Sequence, residues 1–203
     1  MCGIAGIMTA ENAPPVDFAE LCTMIAMLEH RGPDGYGLYR DARIGLAHAR
    51  LSIIDLASGD QPLSTPDGKI WLSFNGEIFN YIELRQQLMA LGHRFSTTSD
   101  SEVILHCYQR YGERAWAMLN GQFAFAVWDT RAQKLWLVRD RFGILPLHYA
   151  VVDGHVVFAS EAKALFAGGR IAPAFDPQGL GEIFTTWAAM APRTAFAGVR
   201  QVR

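Results

Sequence analysis

The chain carries no excess charge of either sign: 18 Lys and Arg stand against 20 Asp and Glu, a formal net charge of -2 over 203 residues. Without a basic field nothing steers nucleic acid or an anionic lipid surface toward it, and neither nucleic acid nor membrane is expected as a partner. Cysteine is scarce as well. The three thiols, Cys2, Cys22 and Cys107, make an odd count without C-x-x-C spacing, which argues against a disulfide framework or a zinc knuckle. The six histidines, His30, His48, His93, His106, His148 and His155, show no metal-ligand spacing and read as structural residues, so no metal is expected. Long apolar runs are missing too: no stretch reaches the roughly 18 uninterrupted apolar residues that mark a spanning helix. The opening MCGIAGIMTAENAPPVD has no cationic region and turns polar too early for a signal peptide. A cytoplasmic protein is the expectation. Nor is there an internal repeat, a Walker loop or a G-x-G-x-x-G turn to cradle a nucleotide.

What is present suits a globular domain. Half of the residues are apolar and 19% are charged, enough for one substantial core or at most two small ones. In VDFAELCTMIAMLEHRG, Phe18, Leu21, Cys22, Ile25 and Leu28 fall at helical spacing, and Gly32 and Pro33 end the helix. HRGPDGYGLYRD is Gly-rich, its RGPDGYG has the composition of a turn loop, and the apolar runs in IGLAHARLSIID and IWLSFN read as buried strands. Two further helices carry the capping-box signature, Asn80 with Glu83 ahead of Leu84, Leu88 and Leu91, and Ser99 with Glu102 ahead of Val103, Ile104, Cys107, Tyr108 and Tyr111. QFAFAVWDTRAQKLWLVRD reads as two strands, and LHYAVVDGHVVFAS as a hairpin turning at Asp153 and Gly154. Phe123, Phe125, Val127 and Trp128 leave both faces of this sheet apolar, so a second sheet must cover one side and helices the other. A layered α+β sandwich is predicted, closed by one more helix after Asp176 and an irregular tail. Trp128 and Trp136 are read as core or sheet-face packing.

Cys2 is open to two readings. A free cysteine is usually a small buried hydrophobe. Once Met1 is removed, however, which a small neighbour such as cysteine permits, this residue carries both a thiol and an α-amine of reference pKa about 7.7 to 8.0. That amine can act as general base, so an amino-terminal nucleophile needs no histidine, and the sequence offers no convincing Cys-His pair. Gly3 and the small residues of CGIAGI let other backbone approach closely, as a nucleophile at a strand end requires.

The blocks MCGIAGI, HRGPDGYG, AHARLSIIDL, GDQPL, FNGEIFNY, TSDSEVIL, LNGQFAFAVWD and RDRFGILPL occur in the order and at roughly the spacing of the glutaminase domain of asparagine synthetase-type class II amidotransferases, and the chain resembles that family over essentially its whole length. The resemblance implies a four-layer αββα sandwich of the amino-terminal-nucleophile hydrolase type. It implies one domain over residues 1–203, with the start of a linker from about residue 185. The implied reaction is hydrolysis of the side-chain amide of L-glutamine to glutamate and ammonia through a γ-glutamyl thioester on Cys2.

Roles follow from the same resemblance. Arg50 binds the substrate carboxylate, a bidentate pairing that lysine copies poorly. Glu77 and Asp100 contact the α-ammonium, and backbone along Arg50, Leu51, Ser52, Ile53 and Ile54 lines the pocket. Asn75 and Gly76 supply two oxyanion donors, an arrangement in which losing one costs about 100- to 1,000-fold in rate; Asn-Gly is also a favoured turn dipeptide. RGPDGYG falls near the active site, with Arg31 and Asp34 shaping the pocket or pairing with each other. Full-length family members continue into a synthetase domain that uses ATP and magnesium, whose S-G-G-x-D-S loop is absent here, so no cofactor is expected in this chain. That synthetase domain is the expected partner, and a homodimer is compatible with the resemblance. The acceptor of the ammonia, aspartate or another carboxylate or sugar, is not legible. Another class II amidotransferase, such as a glucosamine-phosphate synthase or a purine-pathway enzyme, would carry different arginine and asparagine blocks. A non-catalytic module keeping the fold would not need the intact set Cys2, Arg50, Asn75, Gly76, Glu77 and Asp100.

Overall fold

The computed structural model describes residues 1–52 and 59–203. Its strands are β1 Gly3–Met8, β2 Gly35–Arg40, β3 Ile44–Arg50, β4 Leu63–Ser64, β5 Ile70–Ile78, β6 Gly121–Asp129, β7 Lys134–Arg139, β8 His148–Val152, β9 His155–Ala159 and β10 Arg200–Gln201. The helices are α1 Phe18–Ala26, α2 Tyr81–Ala90, α3 Ser101–Tyr111, α4 Ala162–Ala167 and α5 Pro177–Thr186. Among the described residues the strands form two antiparallel sheets, one in the order β10-β8-β9-β1-β3-β2 and one in the order β4-β5-β6-β7.

Strand alternation sorts the apolar residues into three cores. Ala5, Ile7, Ala47 and Ala49 point from the first sheet toward α1 and α4, where Leu21, Met24, Leu28 and Leu165 meet them. Ile4, Ile44 and Leu46 point the other way and pack on Ala124, Ala126 and Trp128 of the second sheet. The outer face of that sheet, with Leu72, Phe74, Phe123, Phe125 and Val127, packs on Leu84, Leu88, Val103, Ile104 and Cys107 of α2 and α3. The result is helix, sheet, sheet, helix, the predicted four layers. Trp128 is fully buried and its indole N–H donates to Asp41 Oδ2 at 2.8 Å, so the central ring leaves no polar atom stranded. Trp136 lies against the outer core, with the Lys134 ammonium 3.9 Å from its ring centre. The β8–β9 hairpin turns where expected, with Asp153 and Gly154 both at positive φ, 50° and 77°.

Several local expectations are corrected. RGPDGYG is a turn only at Pro33 and Asp34; from Gly35 it belongs to β2, an edge strand whose burial alternates residue by residue. The first helix stops at Ala26, and a 3₁₀ turn over Glu29–Arg31 carries the chain to Gly32. Phe18 is 51% exposed instead of facing the core, since it opens the helix, where Asp17 caps the Ala19 N–H. Leu91 is likewise 51% exposed, standing past the end of α2. Neither capping box forms. Asn80 instead spans to a neighbouring loop, donating to the Met118 carbonyl and accepting from the Asn120 N–H. Glu102 folds back on the backbone N–H and hydroxyl groups of Ser96 and Thr97, and the cap of α3 is Asp100, not Ser99. The tail adds β10 to the first sheet and buries Val199 and Val202.

Candidate active site

The site sits where the space between the sheets opens at its end. Residues 4, 44 and 46 face the second sheet, so the same alternation aims Cys2, His48 and Arg50 that way. The register pairs Gly3 with Ala49, which sets Cys2 beside Arg50. From the opposite sheet, Ser73 and Asn75 face back. Two hydrogen bonds tie the layers just below the opening: the Ser73 hydroxyl donates to the Ala47 carbonyl at 3.1 Å, and His48 Nε2 donates to the Phe74 carbonyl at 3.0 Å.

Cys2 is held from two sides. Its Sγ accepts the Leu51 N–H at 3.4 Å and approaches the Leu51 carbonyl at 3.6 Å. Its own carbonyl accepts from Arg31 Nε at 2.9 Å, and Arg31 Nη1 donates to Glu161 at 2.9 Å. Arg31 therefore anchors the cysteine's backbone instead of pairing with Asp34, whose carboxylate takes the Ser52 N–H at 2.7 Å. Burial pushes the Cys2 thiol above its ordinary pKa, against the pull of the Leu51 N–H, the amino terminus, Arg50 and Arg31. A thiol so placed is protonated at neutral pH and needs a base to react. Met1 lines the same cleft as Cys2.

The opposite wall is one edge of β5. Asn75 is 1% exposed, yet neither its Oδ1 nor its Nδ2 has a partner among the described residues. A buried amide in that state costs of order 1–3 kcal/mol per group, a cost that a ligand oxygen would relieve. Gly76 follows with φ +146°, and a Cβ there would lie 2.2 Å from the Gln122 carbonyl oxygen. Only glycine fits. In the β5–β6 ladder the odd-numbered residues of β5 bond to β6, as the Phe79 N–H to Asn120 carbonyl bond continues at 2.8 Å. The even-numbered N–H groups therefore face the other edge, and Gly76 presents its own to the cleft.

Charge is divided between the two ends. Arg50 Nη1 meets Asp60 at 2.8 Å; the arginine side chain is 13% exposed and the aspartate 89%. An exposed partner gives way readily to an incoming carboxylate. Asp100 is buried, accepts the Ile78 N–H at 2.8 Å and receives the Ser99 hydroxyl at 3.4 Å. Burial raises its pKa, and the charge of Glu77 raises it further, against those hydrogen bonds. A cation between the two carboxylates would relieve both effects.

Cys2, Arg50, Leu51, Asn75, Gly76, Glu77 and Asp100 thus line one cleft. Ser52 is outside its lining, held by Asp34, and Ile53 and Ile54 lie outside the described residues. Gly59, Gln61, Phe74, Ser99, Gln122 and Leu145 also line the cleft and carried no functional signal in the sequence beyond lying in or beside the quoted blocks.

A family model described as a glutamine amidotransferase domain matches residues 1–203. The chain belongs to that family. Asparagine synthetase [glutamine-hydrolyzing] 1 of Bacillus subtilis is 42% identical over 204 residues, covering 100% of this chain and 32% of the relative. Asparagine synthetase [glutamine-hydrolyzing] 2 of the same organism is 44% identical over 169 residues, 82% of this chain and 22% of the relative. The chain therefore spans about a third or less of the length of these relatives. Among solved structures, the glutamine phosphoribosylpyrophosphate amidotransferase of B. subtilis superposes with a TM-score of 0.67 at 25% identity, covering 87% of this chain and 46% of that one. The four layers of this glutamine amidotransferase domain are those of the amino-terminal-nucleophile hydrolase fold. Among its described residues no group of three or more His, Cys, Asp or Glu could hold a metal, and no helix is long and apolar enough to cross a membrane.

Proposed function

We propose that this domain hydrolyses L-glutamine to glutamate and ammonia with Cys2 as nucleophile, after removal of Met1 frees the α-amine. The amine takes the thiol proton as Sγ attacks the amide carbon, and the C–O π pair moves onto oxygen. Asn75 Nδ2 and the Gly76 N–H hold that oxyanion. Collapse of the adduct breaks the C–N bond, the ammonium returns its proton to the leaving nitrogen, and ammonia departs from a γ-glutamyl thioester. Water, deprotonated by the same amine, then attacks the thioester and releases glutamate and the thiol. Arg50 fixes the substrate carboxylate, and Asp100 with Glu77 the α-ammonium, so the amide alone reaches the sulfur. The observation that carries this reading is the buried Asn75 amide, without a partner among the described residues, in the same cleft as Cys2.

The ammonia in this proposal goes to an ATP- and magnesium-dependent synthetase domain in the remainder of the parent protein, a reading supported by the length and names of the relatives. The test is an intact-mass spectrum before and after a diazo-ketone analogue of glutamine, alongside turnover by the Cys2→Ala variant. The expected result is a mass short of one methionine, one adduct on Cys2, and variant turnover below about one per cent. A processed chain that refuses the analogue and leaves glutamine intact refutes the proposal.

A further inference from the structure

β5 loses its strand partner early. β4 pairs with it only at Leu72 and Trp71, while the ladder to β6 continues to Ile78. Phe74, Gly76 and Ile78 are left with backbone groups aimed at an edge that no strand among the described residues covers. Such groups, once buried, need partners, since an orphaned donor or acceptor keeps its full desolvation penalty. Side chains finish the edge instead. Asp100 takes the Ile78 N–H at 2.8 Å, His48 donates to the Phe74 carbonyl at 3.0 Å, and Gln61 Oε1 accepts the Phe74 N–H at 2.7 Å. The Gly76 N–H lies between two captured neighbours.

We infer that Gln61 is a positioning residue of the oxyanion hole: by holding the Phe74 N–H it fixes β5 immediately ahead of Asn75 and Gly76. The inference rests on the roles proposed above for those two donors. The Gln61 backbone packs directly on β2, so close that a Cβ at Gly37 would fall 1.7 Å from the Gln61 carbonyl oxygen. The residue type is also accounted for. An N–H can only donate, so the position requires an acceptor; a carboxylate would set a negative charge in the cleft that holds Cys2 and oppose the thiolate; a hydrocarbon would orphan Phe74. A neutral amide satisfies all three demands. Donors to a developing oxyanion must sit within about 0.5 Å of their working positions, so loosening this edge should reduce the rate more than the binding of substrate.

The test compares wild type with Gln61→Leu by steady-state glutamine hydrolysis and by residue-resolved amide exchange. The expected result is a kcat lowered about 10- to 100-fold, less than outright loss of a donor gives, a KM for glutamine within about twofold, and faster exchange at the Phe74 amide. Affinity for the γ-aldehyde analogue of glutamine, whose thiohemiacetal places an oxyanion in the hole, should fall in step with kcat/KM, while affinity for glutamate holds. Gln61→Glu keeps an acceptor at the same reach and should retain protection at Phe74, which decides the hydrogen-bond role even if the leucine variant does not fold. Wild-type kcat in a folded Gln61→Leu variant, or a Phe74 amide equally protected in both, would overturn the inference. A wild-type chain without glutamine turnover would overturn the catalytic reading instead, with the exchange at Phe74 still reporting on Gln61.

Discussion

Acid should weaken this fold through His48 as pH falls below about 6.5. The imidazole is fully buried between the sheets, its Nε2 committed to the Phe74 carbonyl and its Nδ1 without a partner among the described residues. Burial holds its pKa down at about 4 against an ordinary 6.5; the Phe74 bond and Asp60 oppose the shift and Arg50 adds to it. The unfolded imidazole takes a proton near pH 6.5, which the folded one refuses until about pH 4. Stability from this residue is therefore complete above pH 6.5 and is lost progressively as pH falls to about 4. At about 1.4 kcal/mol for each tenfold difference in proton affinity, the loss amounts to about 3 kcal/mol, or about 6 to 12 °C in Tm for a domain of this size. Calorimetry from pH 7.5 to 4 on wild type and His48→Gln isolates the effect, because glutamine keeps a donor near Phe74 without titrating and other groups cancel in the difference. Parallel Tm curves would refute the argument. So would an NMR titration of the wild-type imidazole with a midpoint near 6.5, a measurement that does not depend on the variant folding.

Asn75→Ala should lower kcat about 100- to 1,000-fold without lowering Tm, since it removes two buried polar atoms that have no partner among the described residues. A thermal scan beside a kinetic assay checks both halves, and a destabilised variant would show that the side chain has a structural partner. Arg50→Lys should raise the KM for glutamine at least about tenfold with kcat largely retained, because a point charge replaces a planar fork. A fall in kcat alone would move Arg50 from the carboxylate to the reacting end.

Periodicity made the layers legible because burial on both faces of β6 leaves a pattern that few folds share. Phe123, Phe125 and Val127 fall in one core and Ala124, Ala126 and Trp128 in another. The catalytic candidates were legible through ordered motifs, and most of them meet in one cleft. What escaped was whatever depends on a distant partner. Glu102 looks like a cap in sequence, but the buried backbone at Ser96 and Thr97 competes for its carboxylate and wins. Gly35, Gly37 and Tyr36 spell a turn until β3 is there to pair with them. Gln61 stands in a loop block, GDQPL, and its role exists only because β4 ends too soon to cover Phe74. No local pattern announces a missing strand.

The uncovered edge of β5 also works as a ruler. Gly76 and Ile78 are two residues apart on one strand, so the proposed oxyanion donor and the N–H that anchors Asp100 are separated by a backbone repeat, roughly 6.5 Å. Under the proposed roles that interval would select by substrate length: an amide one methylene closer to its α-ammonium, as in asparagine, would reach the anchor at Asp100 or the donors at Asn75 and Gly76, but not both together.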